Sequence, residues 1–136
     1  MRRATPLVRQ DDTAARLYIE RALGIYVADP FIGLLVERDD RIAGAAILND
    51  YRPGENIELS MHVNGVWNIA DIRGIARYCF ARVRRISAHT KLKNERACRM
   101  LEALGFRREG VLREWFNGED AALYGLLRSE QKIYAR

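Results

Sequence analysis

The sequence contains few residues of the kinds that build metal centres. Two cysteines and two histidines occur among 136 residues, and none of them stand at the short spacings of zinc ligands. Cys79 and Cys98 both lie in apolar patterns with helical spacing, which predicts buried, reduced thiols that pack rather than react. The sequence therefore predicts no metal site.

Long apolar runs are also missing. No segment approaches the roughly 18–20 uninterrupted apolar residues of a membrane-spanning helix. The first residues, MRRATPLVRQDD, carry two arginines without an apolar stretch behind them, so no secretory signal is indicated and the cytoplasm is the expected location. The length of 136 residues, with 49% apolar and 30% charged residues, predicts a single globular domain that spans residues 1–136.

The charge is the one unusual bulk property. Lysine and arginine number 23 and the acidic residues 18, which gives a net charge of +5. Clustered basic residues suit nucleic-acid phosphates, but here acidic residues are interspersed and no recognition motif accompanies the charge. A polyanionic cofactor would be attracted to the same arginines, so a nucleic-acid partner is the less favoured interpretation.

Periodicity and turn residues predict an alternation of helices and strands. Capping residues precede a predicted helix over Thr13–Tyr26, and Asn117-Gly118 separates two extended runs in the manner of a hairpin. The other predicted elements are a hairpin over 31–48, a strand over 56–63, a helix over 70–83, a strand over 84–90, a helix over 94–104 and strands over 107–116 and 121–127.

The segment from Asn94 to Arg113 has the most specific pattern. Asn94 suits a helix N-cap and Gly105 a left-handed helix stop, so the local structure is a helix followed by a strand. The order N-x-x-A-x-x-x-L-x-x-x-G-F-x-x-E-G-x-x-R resembles the C-terminal half of the GNAT superfamily of acyl-CoA N-acyltransferases. Its nearest likeness is to the ribosomal-protein N-terminal acetyltransferases and their phage-encoded relatives. The matching residues are Asn94, Ala97, Leu101, Gly105, Phe106, Glu109, Gly110 and Arg113.

The resemblance implies both a fold and an activity. The fold is α/β, a mixed and mostly antiparallel sheet of six or seven strands flanked by three or four helices. The activity is transfer of an acetyl group from acetyl-CoA to a primary amine by direct attack, without a metal. The acceptor is a small amine or a protein N-terminus, and a homodimer through exposed strands is compatible with the pattern. The main alternative is a catalytically weak or inactive acyl-CoA-binding module.

The resemblance also assigns residues to the acetyl-CoA site. In the family the fourth strand splays from the fifth, and the pantetheine arm pairs with its backbone. A loop before the next helix then holds the pyrophosphate on backbone amides. The family's two loop glycines fall here on Val66 and Asn68, so weaker binding is expected, with Arg73 and Arg77 adding charge. The residues implied in binding are Met61, His62, Val63, Asn64, Gly65, Val66, Trp67, Asn68, Arg73 and Asn94.

The catalytic candidates lie on the polar face of the strand 56–63. An amine arrives mostly as ammonium and must lose a proton before it attacks, which a carboxylate or an imidazole can accept. Glu58 and His62 share this face and are the predicted acceptors, whereas His89 is assigned a structural role. The tyrosine that many family members use as the acid is Leu101 here, which leaves the acid unassigned among Ser60, Cys98 and water.

Residues on the acceptor side are assigned less specifically. Tyr18 and Tyr26, on the first predicted helix, are candidate acceptor contacts. Arg113 and Tyr124 match positions that border the acceptor groove in the branch that the sequence resembles.

Overall fold

The computed structural model describes residues 7–65 and 67–135, and Val66 therefore lies outside the described residues. Its strands and helices follow one another along the chain in this order: β1 (Leu7–Gln10), α1 (Asp12–Leu23), β2 (Ile32–Arg38), β3 (Arg41–Arg52), β4 (Gly54–Val63), α2 (Ile69–Phe80), β5 (Val83–Lys91), α3 (Glu95–Ala103), β6 (Arg107–Phe116) and β7 (Glu119–Leu127). Within the described residues, no helix has the length and apolar character needed to cross a membrane.

One sheet contains all seven of these strands, in the order β1-β2-β3-β4-β5-β7-β6. Every neighbouring pair is antiparallel except β4 and β5, which run parallel because α2 connects them as a crossover. The predicted fold class, a mixed and mostly antiparallel sheet with helices, is confirmed. The short edge strand β1 was not predicted, since four residues are too few for a clear alternation.

Helix α1 is shorter than its apolar pattern predicts. Asp11 caps its first turn by accepting a hydrogen bond from the Ala14 amide at 3.1 Å. Gly24 ends it in the left-handed conformation, with φ of 64°, and donates its amide to the Glu20 carbonyl. The predicted extension to Tyr26 is therefore wrong, because a left-handed residue stops the helical hydrogen bonds there.

The other two helices follow their sequence signals more closely. Asn94 caps α3 by accepting from the Ala97 amide at 3.1 Å, and Gly105 follows the helix with φ of 99°. Helix α2 ends at Phe80, before Val83, because Val83 is the first residue of β5. Adjacent residues thus predict both ends of α3, whereas the end of α2 depends on where the next strand begins.

The sheet has a different hydrophobic core on each face. Helices α2 and α3 cover one face, and α1 covers the other face only over β2, β3 and part of β4. Cys79 and Cys98 are both buried in the first core, as predicted. The face of β5, β7 and β6 that lies on the α1 side carries no helix among the described residues, which leaves room for polar side chains.

Gly33 of β2 lies in close contact with α1. A Cβ at this position would lie 2.6 Å from the Cβ of Ala15 and 2.9 Å from the Cα of Asp12. We expect Gly33→Ala to lower the free energy of unfolding by about 1–3 kcal/mol, because α1 must move away from the sheet. Urea unfolding measures this. Gly110→Ala is the matched control, since its Cβ would have no neighbour within 4 Å, and an equal loss in both variants would contradict the prediction.

Stability at alkaline pH should depend on Cys79. Burial raises the pKa of this thiol from 9.0 to about 12. Above the lower value the unfolded chain releases the proton while the folded chain keeps it, so stability is complete below about pH 9 and falls as pH rises toward 12. Between about pH 8 and about pH 10, we expect the free energy of unfolding of Cys79→Ala to fall by about 1 kcal/mol less than that of wild type, although the variant is less stable overall. Urea unfolding at the two pH values measures this. An unchanged slope would contradict the assignment.

Candidate active site

The two central strands separate halfway along their length. Their parallel pairing ends with Glu58 opposite Ser87, and in the described chain no later pair joins them. β4 nevertheless continues to Val63, paired with β3, and β5 continues to Lys91, paired with β7. Because each strand stays with its outer neighbour, the sheet opens into a cleft between its two halves.

The backbone of β4 beyond Glu58 forms one wall of this cleft. Along this edge, residues Leu59 to Val63 have no ladder partner in β5 within the described residues. Met61 and His62 are half-buried and Val63 is buried, so the open edge is partly sheltered. An extended chain with amide groups would find unpaired backbone groups here, as at any free strand edge.

The loop between β4 and α2 lies at the mouth of the cleft. Gly65 adopts φ of 98° and has open space where a side chain would project. Asn68 caps α2, its side-chain oxygen accepting from the Ala70 amide at 2.7 Å. This capping bond occupies one of the amides that would otherwise face an anion at the helix N-terminus.

Asp71, in the first turn of α2, does not present its charge to this loop. Its side chain is fully buried and forms an ion pair with Arg38. Arg38 thus balances the charge of this carboxylate inside the fold. Asp71 therefore does not repel an anion bound at the first turn of α2.

A basic groove runs along the outer side of α2. Its cavity of about 550 Å³ is lined by Ala70, Arg73, Arg77, Lys132, Ile133, Tyr134 and Ala135. Arg73 donates to the Ile133 carbonyl at 3.1 Å, and the Arg77 guanidinium lies 5.1 Å from the Tyr134 ring centre. Two arginines and a lysine around one groove fit a ligand that carries several phosphates. The contribution of the segment 132–135 was not predicted, since nothing local in the sequence places it against α2.

On the polar face of β4, the two predicted proton acceptors have different partners. His62 lies against α1, where its Nδ1 is 3.2 Å from the Tyr18 hydroxyl. That hydroxyl is also 3.4 Å from the Ala43 carbonyl, and burial raises the pKa of Tyr18, so it remains a neutral donor. Tyr18 therefore lies beside a candidate catalytic residue, whereas Tyr26 is 80% exposed.

Glu58 contacts His89, for which the sequence pattern predicts a structural role. Its Oε1 is in hydrogen-bond contact with Nδ1 of His89, and the two side chains are 27% and 13% exposed. The His89 ring stacks on Trp115 with 5.3 Å between ring centres. No local signal in the sequence pairs these residues, because the strand register decides it: Ser87 lies opposite Glu58, so His89, two residues further on, shares its face.

Polar side chains also fill the closed end of the cleft on this face. Ser87 donates to the Asn56 side-chain oxygen at 2.6 Å, and Arg85 donates to the Ser87 hydroxyl at 3.1 Å. Arg85 also pairs with Glu109 on β6, and this contact holds the pKa of the Glu109 carboxyl below its usual value. Each of these groups is partnered, and the Glu58–His89 pair is the next polar contact along this face, where the two strands part.

Several predicted residues lie away from the polar side chains around Glu58 and His89. Asn94 is exposed and occupied as the cap of α3, and Leu101 is buried in the core. Tyr124 was expected beside the acceptor groove, but it is fully buried on the opposite face of the sheet, in contact with Glu102 and Arg108. Burial, followed by the contact with Glu102, raises the pKa of Tyr124 to about 12. The expectation for Tyr124 is wrong, because its position in β7 points it toward α3.

Solved acetyltransferases have the same arrangement of strands and helices. The spermidine/spermine N-acetyltransferase SpeG from Vibrio cholerae, in mutant forms, superposes with a TM-score of 0.78 at 16% identity, over 92% of this chain and 96% of that chain. The acetyltransferase of the GNAT family from Streptococcus pneumoniae superposes with a TM-score of 0.68 at 19% identity, over 90% and 99% of the two chains. This chain has the GNAT fold. No protein-family model and no curated protein matches the sequence.

A further solved structure of similar fold is described as an oligomer. The spermidine N-acetyltransferase from Vibrio cholerae, described as dodecameric, superposes with a TM-score of 0.76 at 16% identity, over 91% of this chain and 94% of that chain. At these identities the likeness concerns the fold alone.

The Arg38–Asp71 pair supports the start of α2 and can be tested directly. Removing the cation leaves a fully buried carboxylate without its partner, and Arg38 itself is 28% exposed. We therefore expect Arg38→Met to lower the free energy of unfolding by about 3 kcal/mol, the lower end of the range for a broken buried pair.

Asp71→Asn and the double variant complete the cycle. Because the neutral amide no longer needs a cation, the double variant should be more stable than the sum of the two single losses predicts. Urea unfolding of all four proteins measures this coupling. Additive losses would show that the pair contributes nothing beyond its separate side chains.

Proposed function

We propose that this chain is an N-acetyltransferase that moves an acetyl group from acetyl-CoA to a primary amine. The observation that carries this proposal is the end of the β4–β5 pairing at Glu58 and Ser87. It leaves the backbone around Met61, His62 and Val63 available to an extended arm with amide groups. The fold of the neighbouring acetyltransferases supports the same activity in general terms.

The residues near the start of α2 suit the phosphates of acetyl-CoA. Arg73, Arg77 and Lys132 surround a groove large enough for phosphate groups. The loop residues Asn64, Gly65, Trp67 and Asn68 would hold the pyrophosphate, and Asn94 would contact the arm from the other side of the cleft. Because Asn68 already binds the Ala70 amide, we expect an affinity below that of a glycine-rich loop.

The reaction requires the protein to position two substrates and to accept a proton. The ammonium N–H bond breaks, and the nitrogen lone pair attacks the thioester carbonyl carbon. The C–S bond then breaks, its electron pair stays on sulfur, and the thiolate takes up a proton. A side chain on the polar face of the cleft, where Glu58 and His62 are the candidates predicted from the sequence, would receive the amine proton, and free backbone N–H groups of β4 would polarise the carbonyl. Leu101 cannot donate the proton that the thiolate takes up, because its side chain has no acidic group.

The acceptor is proposed only as a class. Small amines and protein N-termini both present the required amine, and the resemblance to ribosomal-protein N-terminal acetyltransferases and phage relatives favours the second. A cytoplasmic enzyme of one domain that forms homodimers is the accompanying proposal. A dodecamer is described for one neighbour with the same fold.

The second candidate is a module that binds acyl-CoA without turnover. It is favoured by Leu101 at the position of the usual acid and by the capped start of α2. The two candidates differ in one measurement, since the module would bind acetyl-CoA tightly but release no coenzyme A with any amine. Steeply salt-dependent RNA or DNA binding would instead favour the nucleic-acid interpretation.

Calorimetric titration with acetyl-CoA and release of free thiol over a panel of amines test the proposal together. We expect micromolar binding, and turnover with at least one polyamine, amino acid or peptide N-terminus. Arg73→Gln should weaken acetyl-CoA binding by about tenfold, because it removes a charge-assisted contact worth about 1.4 kcal/mol.

Arg82→Gln is the matched control for this variant. It removes the same charge from an arginine that stacks on the Tyr78 ring at 3.6 Å, away from the groove. An equal loss in both variants would mean that only bulk charge matters. Nanomolar affinity would contradict the weakened loop, and no binding would contradict the enzyme.

A further inference from the structure

We propose that His89 is the group that accepts the amine proton and that Glu58 is the residue that positions it. This inference rests on the proposed acetyltransferase activity and deepens it. It assigns the proton to one atom, Nε2 of His89, rather than to the carboxylate of Glu58 or the ring of His62.

The position of His89 follows from the separation of the strands. Glu58 and Ser87 form the last pair of the β4–β5 ladder, and His89 is two residues beyond Ser87 on the same face. It is therefore the first residue of β5 on this face that enters the cleft. Glu58 stands at the point where the strands part, and its carboxylate reaches across to Nδ1 of His89.

The contact with Glu58 determines which nitrogen of His89 is basic. A carboxylate next to Nδ1 holds the proton on that nitrogen and leaves the lone pair on Nε2. Among the described residues, Nε2 of His89 has no hydrogen-bond partner, whereas Nδ1 has Glu58. A carboxylate beside the ring also stabilises the imidazolium that forms when Nε2 takes a proton.

Trp115 fixes the orientation of the ring. Its side chain is 54% exposed and stacks on His89 with an angle of 26° between the planes. The stacking depends on an irregularity of β6 between Leu112 and Phe116, where Glu114 has φ of 54°. Such a bulge turns a side chain away from the regular alternation of a strand. Here it brings an aromatic plane against the imidazole.

His62 lacks the partner that such a base requires. Its Nδ1 faces the neutral hydroxyl of Tyr18, and no carboxylate contacts it among the described residues. Glu58, in turn, is already in contact with His89, so one of its oxygens is not free for an ammonium. The pair Glu58–His89 therefore combines a free basic nitrogen with an anion that balances its charge.

The other charged groups around His89 are themselves paired. Arg85 lies on the same face of β5 and binds Glu109 of β6, and Lys91 binds Glu119 of β7. Glu58 is thus the nearest carboxylate to contact the ring. In the proposed step an ammonium N–H bond breaks, the proton moves to Nε2, and the nitrogen keeps the electron pair with which it attacks.

Two substitutions separate the roles of the pair. His89→Asn keeps an N–H group toward Glu58 but removes Nε2, and we expect kcat to fall about 100-fold or more. Glu58→Gln keeps an acceptor oxygen for Nδ1, and we expect a loss of only about tenfold. If Glu58 itself took the proton, the order of these two defects would be reversed, which would overturn the proposal.

The pH profile supplies a readout that a structural role would not change. The defect of His89→Asn should shrink as pH rises above the ordinary α-amino pKa of about 8, because a peptide acceptor is then neutral without help. Imidazole nitrogen NMR of the wild type should show a protonated Nδ1 and a bare Nε2. A protonated Nε2 in neutral His89 would overturn the proposal.

Controls distinguish this inference from the proposed function. Arg84→Gln, at the opposite end of β5 and 70% exposed, should keep wild-type kcat, and all variants should bind acetyl-CoA as wild type does. If wild type turns over and His89→Asn keeps full activity, the role of His89 is wrong while the proposed function stands. The same holds if His62→Asn loses more activity than His89→Asn. Absence of any turnover by wild type contradicts the proposed function and, with it, this role.

Discussion

The parallel ladder between β4 and β5 holds the two halves of the sheet together, and it ends after Glu58 and Ser87. Beyond that point each strand is held only by its outer neighbour, β4 by β3 and β5 by β7. The cleft therefore forms because each central strand stays paired with its outer neighbour, so that the two halves of the sheet are joined at one end only. The loop before α2 follows the free end of β4, and the contact between Glu58 and His89 lies where the two strands separate.

The alternation of β4 gives the two sides of the cleft different chemistry. Ile57 and Leu59 face α2 and α3 and complete the larger core, while Glu58 and His62 face the opposite side. The basic groove and the capped start of α2 lie on the helical side. The polar side chains around Glu58 and His89 lie on the side that α1 covers only in part. A single strand thus separates a surface suited to phosphates from a surface suited to proton transfer.

The sequence predicts correctly those elements whose ends are marked by capping or turn residues. Asn94 and Gly105 mark both ends of α3, and Asn117-Gly118 marks the β6–β7 turn, because caps and turns depend on a few adjacent residues. The predicted end of α1 is wrong, since apolar residues continue past Gly24 while the helix does not. β1 was missed because its four residues form a strand only by pairing with β2.

The sequence by itself determined the fold class, through the pattern from Asn94 to Arg113, and it placed Glu58 on the polar face of its strand. Only the tertiary structure decided what Glu58 contacts. Its partner His89 lies 31 residues away in the chain, and no periodicity within one strand can reveal a neighbour in another. The register between β4 and β5 and the bulge that turns Trp115 toward the ring bring these three side chains together. Those are properties of strand pairing, which local sequence does not encode.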